Sequence, residues 1–424
     1  MTLNVHRVFT GSGGAKNYLS ALTVDDATEA TLRAARDKIR NAVKDGLRDW
    51  ETLVRKQDLF ESVFASVEPP PLRPKFRMQG SFSYRTCNVP AQTPPQEIDL
   101  DDGVFLPVSF LSQNGSIHPA IVSRGFFVAV ERILDPLCKS EGWRLVKDKS
   151  SCVRVEVTND AHIDLALYAI PDEDFISLVE TASAKAAHTQ NRVLTKRQLQ
   201  ESIEFADELY RDLPADHIML AHRDEGWKKS DPRKLEDWFR AALKTYGEQV
   251  RRICRYLKGW RDYQWNACRL ASIALMAAVI KAYEEAAAAV PENRDDKALL
   301  MVAERLPGIL SGRIDNPVVE GARLDEGWSP EQRAAYVARA KDLHRRLQDA
   351  LQGTDNPDGA LASLTAAFGD RIPDDTDLIA TEDSVETKSA VSSPAVLSLG
   401  LLKEMGKEPS IRDAVKKEGD SRYG

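Results

Sequence analysis

Between Asp25 and Gln57 the apolar positions Leu32, Ala35, Ile39, Val43, Leu47, Trp50 and Leu53 recur every three or four residues. That spacing predicts one long amphipathic helix, with Arg36, Arg40 and Lys44 on another stripe. The prolines of Val67-Glu-Pro-Pro-Pro-Leu-Arg-Pro74 then force an extended connection. After it the pattern shortens. Phe76 to Tyr84, Ile98 to Phe110, Val153 to Val157 and Ile163 to Ile170 are rich in β-branched and aromatic residues and are predicted as strands. A helix is predicted from Ala120 to Ser140. From Asp174 onward the pattern is almost wholly helical. One run opens at Pro232 and carries Trp238, Phe239, Leu243, Tyr246, Val250, Ile253, Cys254, Leu257 and Arg261; others cover Leu270 to Tyr283 and Pro330 to Leu351. No internal repeat is visible. From about Pro373 the composition turns to Asp, Thr, Ser, Ala and Glu without periodicity, as in a disordered tail. The expected fold is α+β, in three parts: a mixed-sheet core with its N-terminal helix over 1–175, a helical domain over 176–372, and a flexible tail over 373–424.

Composition narrows the function. The chain has 424 residues, of which 42% are hydrophobic and 29% charged, enough for a sizeable core. Its longest apolar run, Ala271 to Ile280, stops at Lys281, short of the ~20 residues needed to cross a bilayer. Met1 to Ser20 has no apolar leader segment, so a cytoplasmic protein without a membrane partner is expected. Cys87, Cys138, Cys152, Cys254 and Cys268 are scattered, as reduced thiols are, with no zinc spacing. A net charge of −7 excludes a protein that coats nucleic acid with overall positive charge. It leaves room for a local basic cleft.

The candidate chemistry begins at Gln79-Gly80-Ser81-Phe82-Ser83-Tyr84 and continues at Glu97-Ile98-Asp99-Leu100-Asp101-Asp102-Gly103. In a strand, residues i and i+2 share a face, so Asp99 and Asp101 project together above Ile98 and Leu100. A third acid, Asp164, lies on a predicted strand in which Ile163, Leu165 and Leu167 face one way while Asp164 and the small Ala166 face the other. Two carboxylates about 4 Å apart repel by roughly 4 kcal/mol at an effective dielectric of 20, so converging acids call for a cation. Phosphoryl transfer uses one: magnesium takes carboxylate oxygens and bridges them to phosphates. The Gly80-Ser81 turn lets backbone N–H groups approach a triphosphate. Two rival motifs fail on spacing. A calcium loop starting at Asp99 would place Gly103 and Phe110 at its fifth and twelfth positions, and Gly11 to Asn17 lacks the phosphate-loop GK[ST], so it is expected to be a surface loop.

These residues resemble the bacterial cGAS/DncV-like nucleotidyltransferases (CD-NTases), in particular the 3′,3′-cyclic GMP-AMP synthases. The likeness rests on the two motifs above and on His162-Ile-Asp164, Tyr168-Ala-Ile-Pro171, Trp227-Lys-Lys-Ser-Asp-Pro232, Glu236-Asp-Trp-Phe239 and Lys258-Gly-Trp-Arg-Asp-Tyr-Gln-Trp265. It implies a polymerase-β-like nucleotidyltransferase core, with Asp99, Asp101 and Asp164 as catalytic acids holding two Mg2+ ions, or Mn2+. It further implies that Gln79, Gly80, Ser81, Phe82, Ser83, Tyr84, Asp101 and Arg154 contact one nucleotide, and Ser230, Lys258 and Ser272 the other. The implied activity joins ATP and GTP into a cyclic dinucleotide that reaches an effector in anti-phage defence (CBASS), with no obligatory nucleic acid. Ubiquitin-like conjugation enzymes of the same operon would act at Gly424. Trp265 to Ser272 departs from the Gly-Gly-Pro-Ser-Ser stretch of such synthases. Read by residues alone, Lys258 sits on a basic helix, Arg154 shares a face with Glu156, Ser230 suits a helix cap, and His162 suits packing. Other open readings are a synthase of another cyclic di- or oligonucleotide, an enzyme extending RNA 3′ ends, and a nucleotide-binding interaction protein without activity.

Overall fold

The computed structural model describes residues 2–11, 14–48, 74–107, 119–170, 218–224, 226–230, 232–286 and 290–382. The chain starts with strand β1 (Leu3–Asn4), two short helices α1 (His6–Thr10) and α2 (Tyr18–Leu22), and the long α3 (Asp26–Arg48). Strand β2 (Lys75–Gln79) runs into a one-turn helix α4 (Gly80–Ser83), followed by β3 (Ile98–Pro107) and α5 (Pro119–Glu141). Strands β4 (Arg144–Val146), β5 (Val153–Glu156), β6 (Ala161–Ile170), β7 (Met219–His222) and β8 (Gly226–Lys229) complete the main sheet. The helical part comprises α6 (Pro232–Tyr246), α7 (Gln249–Gln264), α8 (Ser272–Glu284), α9 (Asp295–Ser311), α10 (Pro330–Gln348) and α11 (Pro357–Phe368), and closes with β9 (Ala380–Thr381).

The seven-stranded sheet runs β2-β3-β6-β5-β4, with β7 on β6 and β8 on β7. Among the described residues only β3 and β6 pair in parallel; the other pairings in this sheet are antiparallel. The predicted stripe of α3 is the one that packs: Leu32, Ala35, Ile39, Val43 and Leu47 are buried, together with Phe126, Phe127, Val130 and Leu134 of α5, against Leu100, Val104, Val155, Ile163 and Leu165 of the sheet. Trp50 and Leu53 lie outside the described residues. One polar group sits in this layer. Asp102 is fully buried between the core-facing Leu100 and Val104, and Arg40 of α3 reaches it with Nε and Nη2 at 2.7 and 2.5 Å. Burial pushes the Asp102 carboxyl above its ordinary range, opposed by Arg40.

Four expectations are corrected. The strand expected from Phe76 to Tyr84 ends at Gln79, because Gly80 takes a left-handed φ of 65° and starts a helical turn. The run from Pro232 to Arg261 is two helices, broken at Gly247 with φ 87°. The region after Asp174 is not wholly helical: β7 and β8 form a hairpin whose first strand continues the sheet at Tyr168↔Leu220. The order also extends beyond Pro373, since Ala380 and Thr381 pair with Asn4 and Leu3. Glu382 then accepts from Arg294 Nη1 at 2.6 Å and pairs with Lys297. Ending the chain after residue 374 is therefore expected to lower the melting temperature by several degrees relative to ending it after 382; differential scanning fluorimetry reads both. Residues 383–424, with the proposed tail and Gly424, lie outside the described residues. All five cysteines are free thiols, and among the described residues no helix is long and apolar enough to cross a membrane.

Candidate active site

The parallel register of β3 and β6 builds the site. It sets Asp99 beside His162 and Asp101 beside Asp164, while Ile98, Leu100, Ile163 and Leu165 face the core. The period-two pattern in each strand thus becomes a patch of acids on one face of the sheet. From the opposite side β2 sets Gln79 against Asp101. The following Gly80 lies so close that a Cβ there would stand 1.9 Å from Asp101 Oδ2. Only glycine satisfies both that contact and the positive φ. Gly80→Ala is accordingly expected to lower turnover about a hundredfold by displacing the acid, as read by steady-state kinetics.

The electrostatics follow from the crowding. Burial, then Asp99 and Asp164, push the Asp101 carboxyl well above its ordinary value, against Lys258 and Arg154. Arg154, the cross-strand neighbour of Asp164, clasps it with Nε to Oδ1 and Nη2 to Oδ2, both at 2.7 Å. Burial opposes the guanidinium charge, but hydrogen bonds and attraction to Asp164, with Asp99 adding, raise its pKa. His162 is held by Glu97, Nδ1 to Oε2 at 2.5 Å, and its Nε2 lies 3.1 Å from Asp99 Oδ1. Burial lowers the imidazole pKa, yet Asp99 and Asp164 raise it further and the balance is above the ordinary value.

A cleft of about 490 Å³ lies over this floor. Gly80, Ser81, Tyr84, Asp99, Asp101, Arg154 and His162 line it from the sheet, and Lys258, Arg261, Asp262, Ser272 and Met276 from the helices. Lys258 is buried, with Nζ donating to Thr86 O at 2.6 Å. Burial is the main reason its ammonium titrates below the ordinary lysine value. Arg261 holds Ser272 Oγ at 3.0 Å through Nη1 and Asp262 through Nε and Nη2. The loop from α4 to β3 is pinned along α7. Asn88 Nδ2 donates to Arg255 O at 2.8 Å, and Arg255 Nε returns the bond to Asn88 Oδ1 at 2.9 Å. Gln96 Nε2 donates to Asp262 O and Trp265 O at 2.8 and 2.7 Å. Both sides of the cleft therefore share one strut.

The structure brings Gly80, Ser81, Tyr84, Asp99, Asp101, Arg154, Lys258 and Ser272 around this one cleft, and Asp164 beneath it through Arg154. It places the others elsewhere. Gln79 Oε1 accepts from Tyr168 O–H at 3.2 Å. Phe82 packs into the core under the sheet and, with Ser83, borders a second cavity of about 630 Å³. Ser230 donates its N–H to Ile218 O and does not line the cleft. Glu97 and Gln96 were not singled out by sequence, although Glu97 stands two residues before Asp99 on the same alternation.

The residues fit a divalent cation. Asp99, His162 and Asp164 each offer a ligand atom, all within 4.8 Å of one another, and Asp99 Oδ1 is a buried oxygen without a hydrogen-bond partner. A mixed sheet presenting clustered acids to a cleft closed by helices defines the chain as a nucleotidyltransferase. Comparison sharpens the class. Residues 74–168 match the family described as "Cyclic GMP-AMP synthase DncV-like, nucleotidyltransferase domain", and residues 247–382 the family described as "Cyclic GMP-AMP synthase, C-terminal domain". A cyclic GMP-AMP synthase from Escherichia coli is 32% identical over 71% of this chain and 68% of its own length. One from Vibrio cholerae is 28% identical, also over 71% of this chain and 68% of its own. The crystal structure of Vibrio cholerae DncV with the linear intermediate 5′ pppA(3′,5′)pG superposes with a TM-score of 0.70 at 25% identity, covering 90% of this chain and 99% of that one. The chain belongs to the DncV-like nucleotidyltransferase family.

Proposed function

We propose that the protein is a cyclic dinucleotide synthase that joins ATP and GTP into 3′,3′-cyclic GMP-AMP with release of two pyrophosphates, as a second messenger of anti-phage defence. The observation that carries this reading is the β3–β6 register, which sets Asp99, Asp101 and Asp164 together beside the Gly80-Ser81 turn. The relatives named cyclic GMP-AMP synthase and the relative holding pppA(3′,5′)pG support the substrates.

In this reading Gly80 and Ser81 meet the phosphates of one nucleotide through backbone N–H groups and the Ser81 hydroxyl. Lys258 and Ser272 face those of the other, with Arg261 fixing the Ser272 hydroxyl. Arg154 keeps the Asp164 carboxylate in one orientation, and the Gly80 contact does so for Asp101. Asp99, Asp101 and Asp164 would hold a divalent ion, which would supply charge stabilisation at the α-phosphate that a 3′-hydroxyl attacks. The helical lobe lines the cleft opposite the acids. No covalent enzyme intermediate is required. The test is incubation of the purified protein with all four NTPs and Mg2+, followed by mass spectrometry. ATP with GTP is expected to give the main product, which nuclease P1 then degrades as a 3′,5′-linked ring. Equal cyclic product from ATP alone would instead favour the synthase of another cyclic nucleotide, in line with the departure at Trp265 to Ser272.

A further inference from the structure

We infer that His162 Nε2 is a metal ligand, so that Asp99, His162 and Asp164 form a mixed nitrogen and oxygen site that favours a first-row transition-metal ion over magnesium. The inference rests on the metal-dependent reading above and adds a donor and a preference to it.

Three observations converge. His162 is 4% exposed and its Nε2 has no hydrogen-bond partner, although Asp99 Oδ1 stands 3.1 Å away and Asp164 Oδ1 3.9 Å away. Asp99 Oδ1 is likewise without a hydrogen-bond partner, so two buried polar atoms face one another out of line. A cation shared between them would engage both atoms at once, in place of this misaligned 3.1 Å contact. Second, Glu97 Oε2 takes the opposite ring nitrogen at 2.5 Å. A carboxylate on Nδ1 places the proton there and leaves the Nε2 lone pair for a metal, the arrangement that accompanies metal-bound histidines. Third, the strands aim all three groups. Residues 162 and 164 share the outer face of β6, and Asp99 is the register partner of His162 on β3.

The preference follows from the donors. Carboxylates alone suit magnesium, whereas imidazole suits transition ions and adds little for magnesium. Arg154 strengthens the bias, because it already occupies one edge of both Asp164 oxygens and limits the oxygen ligands left for a hard ion. The remaining acid, Asp101, stays beside Asp164 and Gly80 to serve as a further oxygen donor.

Mn2+ is the probe, bound to the full chain with a non-hydrolysable ATP analogue and followed by electron spin-echo envelope modulation. The expected result is a directly coordinated nitrogen, whose coupling changes when the protein is grown with 15N-histidine and disappears in His162→Asn. Competition titrations are expected to show the preference for Mn2+ over Mg2+ falling at least tenfold in His162→Asn. Glu97→Gln is expected to weaken Mn2+ binding about 10–100-fold while keeping the nitrogen coupling. The labelled wild-type protein answers without any variant, so misfolding of a variant does not obscure the result. Mn2+ bound without a histidine nitrogen overturns the inference and leaves the proposed function standing. A coupling that survives in His162→Asn overturns it too. Failure of the wild type to bind Mn2+ at all, with or without the analogue, overturns the inference together with the metal-dependent function.

Discussion

Replacing Asp99 and Asp101 together by alanine is expected to abolish cyclic product, by at least about a thousandfold, while the melting temperature measured in chelator stays level or rises. The two readouts separate because these carboxylates work against the fold. Asp101 is desolvated and faces Asp99 and Asp164, which holds its carboxyl well above the usual range. A group whose folded pKa is raised contributes stability at low pH and loses it as the pH climbs through the folded value. Metal-free wild type should therefore lose stability from acidic toward neutral pH, and Asp101→Asn should flatten that slope. Thermal melts across the pH range in chelator measure it. A double variant that unfolds, or that still makes product, would show these acids to be structural.

The second large effect is expected on the opposite, core-facing side of the strand that carries the acids. Arg40→Met should cost about 3–5 kcal/mol, because it strands the fully buried Asp102 without its guanidinium. The double variant Arg40→Met with Asp102→Leu should recover most of that loss, since two well-packed apolar side chains replace a desolvated pair. The pH dependence gives the sign: without Arg40 the Asp102 carboxyl is pushed higher still, so the single variant suffers less at acidic pH than at neutral pH. Urea unfolding at two pH values tests both statements. A single variant as stable as wild type at neutral pH would refute them.

Asp99, Asp101 and Asp164 were legible because strand alternation is local: two residues along a chain decide which side chains share a face. The same alternation carried Glu97, His162 and Asp102, yet it could not say what each would face. Asp102 reads as one more acid in a polar run until Leu100 and Val104 place it on the core side, opposite Arg40 some sixty positions earlier. His162 becomes more than a packing residue only through the β3–β6 register, which joins segments separated by about sixty residues. Lys258 sits in a run of basic residues, and its burial depends on the loop that folds over α7. The break at Gly247 and the hairpin of β7 and β8 were hidden for another reason. Apolar runs of four residues fit either period, and a lone glycine inside a helical pattern is often tolerated. The long helix α3, by contrast, repeats its stripe often enough to be unambiguous.

The strut between α4 and β3 has a consequence for anyone exchanging parts among relatives. Its carbonyls and amides are matched bond for bond to α7, through Lys258 with Thr86, Asn88 with Arg255, and Gln96 with Asp262 and Trp265. Arg371, from the far end of the chain, adds bonds to Val89 O at 3.0 Å and Gly259 O at 2.8 Å. A chimera cut between the sheet and the helices would carry one half of this lock and not the other, leaving Lys258 buried with no acceptor. Such hybrids should be insoluble unless residues 86–97 travel with the helices that grip them. In evolutionary terms the seam between the lobes is not a place where recombination is free: base preference, if it is to drift, has to drift by point changes around the cleft, with the lock kept whole.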